Sequence, residues 1–538
     1  MRLMQSTLAD LVGAPPPAAI AIRTRERGRA RDVAYGEVAS RASRVANGLT
    51  ALGIGAGDRV ALWLPNVPAW LELLFALGRI GGVAVAVNTR FRAVEVADIV
   101  GRSRARALVL WPGFKGIDFL AILESIDPAA LDRLETIVVY DEGEGPVPLP
   151  ARLSAKRVLR YADLAAAAPA EASRVTAASG AADFGAAIFT TSGTTKAPKF
   201  VLHTQRSLVE HARAVAPAFG YDAPDAVMLQ ALPFSGVFGL CQALATLAAG
   251  RSMVLMPAFD AEAAARIVIE ERVTHMNGSD EMYRRMLAES RAQHAFPSLR
   301  RAGFAAFNSD PAEFVAMGDA RGLPLTGLYG MSEIQALFAS RSPAAPAAER
   351  ALGGGTPVSP LARVRVGDPE TGRILGDGER GEIEAMGPSL MAGYADDPEA
   401  TRAAFTADGY LRTGDLGYTV PGGFVFLARM GDALRLSGFL VNPVEISSHI
   451  EGHAAVAACQ VVGAKTAQGE RAIAFVVRRS GAEVGERALL AHCRAGLAAF
   501  KCPEAIVFLD AFPVAESANG VKIRRAKLRA WAAERLGV

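Results

Sequence analysis

The sequence predicts an α/β fold in two parts: a large N-terminal unit of layered sheets and helices, then a small α+β unit. Three observations carry this. At 538 residues the chain is longer than one core serves. Through residues 1–430, short apolar runs alternate with amphipathic stretches, the pattern of strand–helix–strand units with parallel sheet. From Gly431 the pattern changes, and residues 431–538 are enough for a domain of their own.

Taken in order, the spacing predicts an amphipathic helix over 35–52, a glycine-rich turn from Gly53 to Asp58 and a strand over 59–64. A helix over 69–79 and a strand over 82–87 follow. Residues 142–150 and the alanine-rich 164–180 read as surface linkage. A strand over 185–188 leads into Phe189-Thr190-Thr191-Ser192-Gly193-Thr194-Thr195-Lys196-Ala197-Pro198-Lys199, and a helix is expected over 202–215. Strands over 227–232 and 253–256 and a helix over 261–271 continue the alternation. Thr326-Gly327-Leu328-Tyr329-Gly330-Met331-Ser332-Glu333 is a second polar turn. A strand and turn over 381–387, then Gly393-Tyr394, precede the polar cluster Tyr410-Leu411-Arg412-Thr413-Gly414-Asp415. The C-terminal part should hold helices over 443–450 and 487–497 and strands over 457–462 and 472–477. Lys522 is expected in a turn before the last, basic helix.

Composition narrows the function classes. The chain is 51% hydrophobic and 21% charged with a net charge of +3, and no basic run with interleaved aromatics points to nucleic acid. Cys241, Cys459, Cys493 and Cys502 lack metal-ligand spacing and are too few for a disulfide framework, so a reducing cytoplasm is expected. Asp10 interrupts the N-terminus before an apolar run of signal-peptide length, and Glu72 and Arg79 interrupt 71–87, which argues against a membrane span.

The 189–199 segment has the chemistry of a phosphate loop. Glycine lets backbone N–H groups close on an anion, the hydroxyls add donors, and two of the chain's eight lysines supply charge. A solvated turn explains the segment alone about as well, and it is no Walker A loop. Glu333 offers the carboxylate a phosphate-bound hard cation needs, although singly it reads as a loop acid. Asp415 suits the two hydroxyls of a ribose, or a turn; Lys522 alone reads as a surface lysine.

In this order and spacing the segments, from Tyr35 to Leu528, resemble the adenylate-forming superfamily, in its acyl-CoA synthetase and aryl-CoA ligase branch. The resemblance implies an ATP-dependent carboxylate–CoA ligase that forms an acyl-adenylate and then a thioester, releasing pyrophosphate and AMP. It implies ATP, Mg²⁺ and coenzyme A as reactants and cofactor, a small carboxylic acid as substrate, and a monomer or homodimer. Thr191, Ser192, Gly193, Thr194, Thr195 and Lys199 match the phosphate loop, with Thr191 also catalytic. Ala305, Ala306 and Phe307 match the segment beside the adenine. Tyr329, Gly330, Met331, Ser332 and Glu333 match the adenine and magnesium motif, Glu333 being the metal-linked acid. Asp415 and Arg429 resemble the ribose-binding pair, Gly431 and Asp432 the interdomain hinge, and Lys522 the mobile catalytic lysine. Arg435, Ser437, Gly438 and Phe439 fall where the CoA tunnel is expected. Phe234, Gly236, Phe238, Asn277, Gly278, Phe304, Gly327, Leu328 and Leu337 fall where the acyl pocket is expected.

The chain departs from the pattern at five places. Lys196 and Phe200 stand where relatives have glycine, Gly236 where a histidine or other bulky residue is frequent, and Val521 separates Gly520 from Lys522. Asp280 and Glu281 replace less polar residues, a substitution that suits a helix N-terminus after Ser279. A stand-alone enzyme loading a carrier protein, and a non-catalytic nucleotide- or acyl-binding protein, are the competing readings.

Overall fold

The computed structural model describes residues 7–26, 29–141, 151–167, 181–191, 198–305, 311–369, 371–430, 434–437, 439–441, 443–517 and 520–538. Among these, an eight-stranded and a thirteen-stranded sheet account for the N-terminal part.

The eight-stranded sheet grows from the alternation at the start of the chain. The helix Tyr35–Ala51, the strand Arg59–Trp63, the helix Pro68–Ile80 and the strand Val83–Ala86 fall within a residue or two of expectation. The strands are parallel and apolar on both faces, as a sheet covered by helices on each side requires. Glu72 is fully buried in the helix Pro68–Ile80, where it accepts a hydrogen bond from the Tyr161 hydroxyl at 2.5 Å. Burial pushes its pKa up.

Here the structure corrects the reading of the 189–199 segment. It joins two antiparallel strands, Gly185–Thr191 and Lys199–Thr204, with Thr191 opposite Lys199. The helix begins three residues later than expected, at Gln205–Ala218, because Thr204 caps it by accepting from Ser207 N. Residues 199–204 have β-branched and aromatic members that pair in the sheet, so tertiary pairing overrides the helical spacing expected at 202–204.

In the thirteen-stranded sheet, Val227–Gln230, His275–Ser279, Arg301–Ala305 and Leu325–Met331 lie side by side in parallel. The helices Gln205–Ala218 and Val237–Ala248 contribute to the core on one face, Ala261–Glu270 and Asp280–Ala288 to the core on the other. Ser279 caps the last of these, accepting from Met282 N, which supports the helix-start reading of Asp280 and Glu281. Tyr410 to Asp415 does not form a separate polar turn. It enters the long strand Leu411–Val420, paired with Gly423–Arg429.

The residues from 434 onward build separate apolar clusters and a three-stranded sheet of Val456–Thr466, Gly469–Arg478 and Ala505–Phe508. Lys522 lies in the strand Gly520–Ile523, paired with Val514–Ser517, rather than in a turn. The boundary expected at Gly431 lies outside the described residues. No described helix is long and apolar enough to cross a membrane.

Candidate active site

The carboxyl ends of the parallel strands are where α/β sheets place ligands, and the predicted motifs meet there. The turn from Tyr329 to Glu333 leaves the strand Leu325–Met331 and returns as Gln335–Ser340. Gly330 is required: a Cβ there would sit 2.6 Å from Ala336 Cα and from the Gln335 carbonyl oxygen. Gln335 and Leu337 take positive φ values of 66° and 63°, unusual for residues with side chains.

The helix Gln205–Ala218 and the strand before it hold this strained turn. His203 Nε2 lies 2.7 Å from the Ser332 carbonyl oxygen and His211 Nε2 lies 2.7 Å from that of Ala336. Each ring therefore carries its proton on Nε2 and donates it. Burial pushes both pKa values down to about 4, so both stay neutral near pH 7. The Gln335 side chain completes the brace, donating from Nε2 to the Ser207 carbonyl at 2.8 Å.

Two hydrogen bonds then tie the turn to distant segments. The Tyr329 hydroxyl donates to Asp415 Oδ2 at 2.8 Å, joining the expected adenine and ribose residues. The Tyr394 hydroxyl donates to Glu333 Oε1 at 3.0 Å. Tyr394 is there because Gly393–Tyr394 pairs with Lys199–Thr204, Tyr394 opposite Val201. The Lys199 ammonium lies over the Tyr394 ring, 4.4 Å from its centroid. Lys199, Tyr394 and Glu333 thus form one contiguous row from the strand Lys199–Thr204 to the acid. Tyr394 thus touches two of the expected site residues, although the sequence marks it only as part of a Gly-Tyr pair; the strand pairing that brings it in is not local.

Comparison with known proteins identifies the family. Residues 12–395 match the model of the AMP-binding enzyme family, and residues 445–519 match that of the AMP-binding enzyme C-terminal domain. The chain belongs to the AMP-binding enzymes, in their adenylate-forming acyl-CoA ligase branch. It is 31% identical over 493 residues to a feruloyl-CoA synthase of an Amycolatopsis species, covering 91% of this chain and 92% of that one. It is 30% identical over 514 residues to 4-coumarate–CoA ligase 5 of Oryza sativa subsp. japonica, covering 93% and 89%. Among solved structures it is similar to the amide bond synthetase McbA of Marinactinospora thermotolerans. That match has a TM-score of 0.80 at 26% identity and covers 98% of this chain and 99% of that one. The reaction of the enzyme is ATP-dependent carboxylate–CoA ligation.

The acyl-pocket candidates of this ligase divide between the two faces of the sheet. Phe234, Phe238, Leu328 and Leu337 belong to the core of the helices Gln205–Ala218 and Val237–Ala248. Asn277 faces the same side through its bonds to Gln242 and Tyr221. Gly236 precedes the second helix as its N-cap residue. Phe304 turns the other way, packing edge-on against Phe314 at 4.9 Å. A Cβ on Gly278 would meet Met276 and Met282 on that opposite face, and one on Gly327 would meet the Arg350 and Leu352 carbonyls. Phe304, Gly278 and Gly327 are therefore not brought together with the rest. The alternation of side chains along a strand separates them, and it puts Gly303, the partner of Asn277, in their place.

The ligase also shows a joint between its two parts. Glu95, on the helix Ala93–Arg102, accepts from Ala498 N at 2.8 Å and lies 3.6 Å from the Lys501 ammonium. Lys501 also pairs with Glu445. Ser192, Gly193, Thr194, Thr195, Lys196, Ala306, Phe307, Gly431, Asp432 and Gly438 lie outside the described residues. Arg429, Arg435, Phe439 and Lys522 are placed through their strands alone. Ser437 is exposed with a positive φ of 50° beside the Leu434–Leu436 and Phe439–Val441 strands.

Proposed function

We propose that this ligase activates an apolar, medium-sized carboxylic acid, aromatic, alicyclic or short-to-medium aliphatic, with the following division of labour. Thr191, Ser192, Gly193, Thr194 and Thr195, together with Lys199, hold the phosphates of ATP. Tyr329 flanks the adenine, and Asp415 accepts the ribose hydroxyls while Arg429 assists. The observation that carries the reading is the meeting of three motifs remote in sequence through Tyr329–Asp415, Tyr394–Glu333 and Lys199–Tyr394. The apolar core around Phe234, Phe238 and Leu337, and relatives whose names specify feruloyl and coumarate, support the acid class.

Glu333 fits a role in holding Mg²⁺. Magnesium is usually bound through one or two carboxylates and substrate phosphates, and no group of three or more candidate ligands occurs among the described residues. When bound, the ion would neutralise charge on the phosphate oxygens. Tyr394 orients the Glu333 carboxylate and, through its ring, Lys199.

In the first half-reaction a carboxylate oxygen of the acid attacks the α-phosphorus, the α–β anhydride bond breaks, and pyrophosphate leaves. Lys522, carried by the C-terminal domain of residues 431–538, stabilises the growing negative charge. In the second, rotation about Gly431 and Asp432 withdraws Lys522 and brings Arg435, Ser437, Gly438 and Phe439 to the thiol. The CoA sulfur attacks the acyl carbon, its proton passes to solvent, and AMP leaves.

The test is AMP and pyrophosphate release from ATP and Mg²⁺ over a panel of acids, with and without CoA, for wild type and Lys522→Ala. Acid-dependent AMP release that requires CoA and collapses in the variant is expected. Equal release without a thiol, or none with any acid, would overturn the assignment.

A further inference from the structure

Beneath the helix Val237–Ala248 runs a row of buried polar side chains. Gln230 and Gln242 are fully buried, and Asn277 is 1% exposed. Gln242 donates to the Leu229 carbonyl and to Gln230 Oε1, both at 3.0 Å. Its own Oε1 accepts from Asn277 N at 3.2 Å. Gln230 donates to the carbonyls of Leu232 and Gly239 at 2.7 and 3.1 Å. Asn277 Nδ2 donates to the Tyr221 hydroxyl at 2.7 Å. The two glutamines are thus bonded through both ends of their amides, while Asn277 Oδ1 is buried with no hydrogen-bond partner among the described residues.

The surroundings of that oxygen are specific. Asn277 and Gly303 are direct neighbours in parallel strands, and a Cβ on Gly303 would lie 2.2 Å from Oδ1 and 2.8 Å from Leu328 Cδ1. Oδ1 therefore lies over bare backbone, where any other residue at 303 would displace it. Phe238 and Gln242 are four residues apart in one helix and share a face. At the start of that helix, a Cβ on Gly236 would have only the Pro233 carbonyl oxygen, 3.6 Å away, within contact range. Gly236 and Phe238 thus stand at the start of the helix whose Gln242 belongs to this buried polar row, and the row's one unmatched atom is a hydrogen-bond acceptor. Buried polar atoms are nearly always paired, and an orphan calls for a partner the protein does not supply.

We propose that Asn277 reads the end of the acid remote from its carboxylate, and that the substrate is an apolar-bodied acid bearing a terminal hydroxyl that donates to Asn277 Oδ1. This rests on the ligase reading above and names its substrate class. A site built to receive a hydroxyl discriminates strongly against the analogue lacking it, because the buried acceptor is then left unpaired.

The experiment compares kcat/KM for matched acids in wild type and Asn277→Leu: 4-hydroxycinnamate, cinnamate and 4-methoxycinnamate, and 8-hydroxyoctanoate with octanoate. In at least one series, wild type should prefer the hydroxy acid by roughly tenfold or more over both the unsubstituted acid and, in the aromatic series, the methyl ether, which cannot donate. In Asn277→Leu that ratio should fall to about one, with the unsubstituted acid still turned over. The wild-type ratios stand by themselves if the variant fails to fold. Equal rates for hydroxy and unsubstituted acids in wild type, or a methyl ether as good as the hydroxyl, overturn the role of Asn277 while leaving the ligase assignment standing. A ratio unchanged by Asn277→Leu does the same. Absence of AMP release with every acid overturns the ligase reading and this assignment with it.

Discussion

Lys501 is the cation at the joint between the two parts of the chain, and Lys501→Met is the most informative single change there. Its side chain is 8% exposed, against 3% for Glu95 and 16% for Glu445. At 3.6 Å, an effective dielectric of 20 makes the Lys501–Glu95 attraction about 5 kcal/mol before desolvation. Removing one partner of such a buried set costs about 3–5 kcal/mol, because the carboxylates are left uncompensated. The docked arrangement should therefore lose roughly two to four powers of ten in population relative to the undocked one. Burial already raises the Glu95 pKa, and Lys501 opposes that rise. In the variant the pKa climbs further, so protonation favours docking: docking should be weakest above the ordinary carboxylate range and recover as pH falls through the raised value. Energy transfer between dyes on the two parts, read from pH 5 to 8 in the absence of substrates, measures this. In a Glu95→Gln background the same Lys501 change should cost under about 1 kcal/mol of docking energy. An equal loss in both backgrounds would refute the reasoning, since Lys501 would then act only within the C-terminal part through Glu445.

Tyr394→Phe keeps the ring under Lys199 but removes the hydrogen bond to Glu333. Bonds to charged groups contribute about 1.5–3 kcal/mol, so kcat/KM for ATP should fall roughly ten- to hundredfold, with a raised Mg²⁺ requirement; unchanged kinetics would remove Tyr394 from the site. Gly330→Ala should destabilise the protein by about 1–3 kcal/mol, read as a lowered melting temperature, because its Cβ would press on immovable backbone at Ala336 and Gln335. His211 is neutral in the fold and ionises more readily when unfolded, so its contribution is complete above its ordinary pKa of 6.5 and is lost as pH falls toward about 4. The stability gap between wild type and His211→Gln in urea should accordingly narrow from pH 7 to pH 5, and a constant gap would count against it. Gly236→His should narrow the range of acids accepted, since only the Pro233 carbonyl oxygen borders the space a Cβ would enter; equal relative rates for small and bulky acids in both proteins would contradict this.

Much of this protein was legible in one dimension because it depends on local rules. The helix Tyr35–Ala51 and the strands Arg59–Trp63 and Val83–Ala86 follow from apolar periodicity, and the roles expected of Glu333 and Asp415 from residue type within glycine-containing polar segments. The order of those turns sufficed for the family. What periodicity misjudged was pairing: residues 202–204, expected to open a helix, instead end a strand, because Gly185–Thr191 and Gly393–Tyr394 flank it.

The sequence by itself determined the fold class and the reaction, and it named the hydroxyl, carboxylate and lysine residues proposed for the nucleotide site, since motif order and residue chemistry need no coordinates. Only the tertiary structure decided which candidates share a face. Phe304 and Asn277 lie in adjacent strands and look equally suited to an acyl pocket, yet their Cβ atoms leave opposite sides of one sheet. It also decided that Tyr394 joins Lys199 to Glu333 and that Asn277 Oδ1 lies unpaired over Gly303. Those facts arise from register between strands far apart in the chain, a property that no local pattern of residues carries.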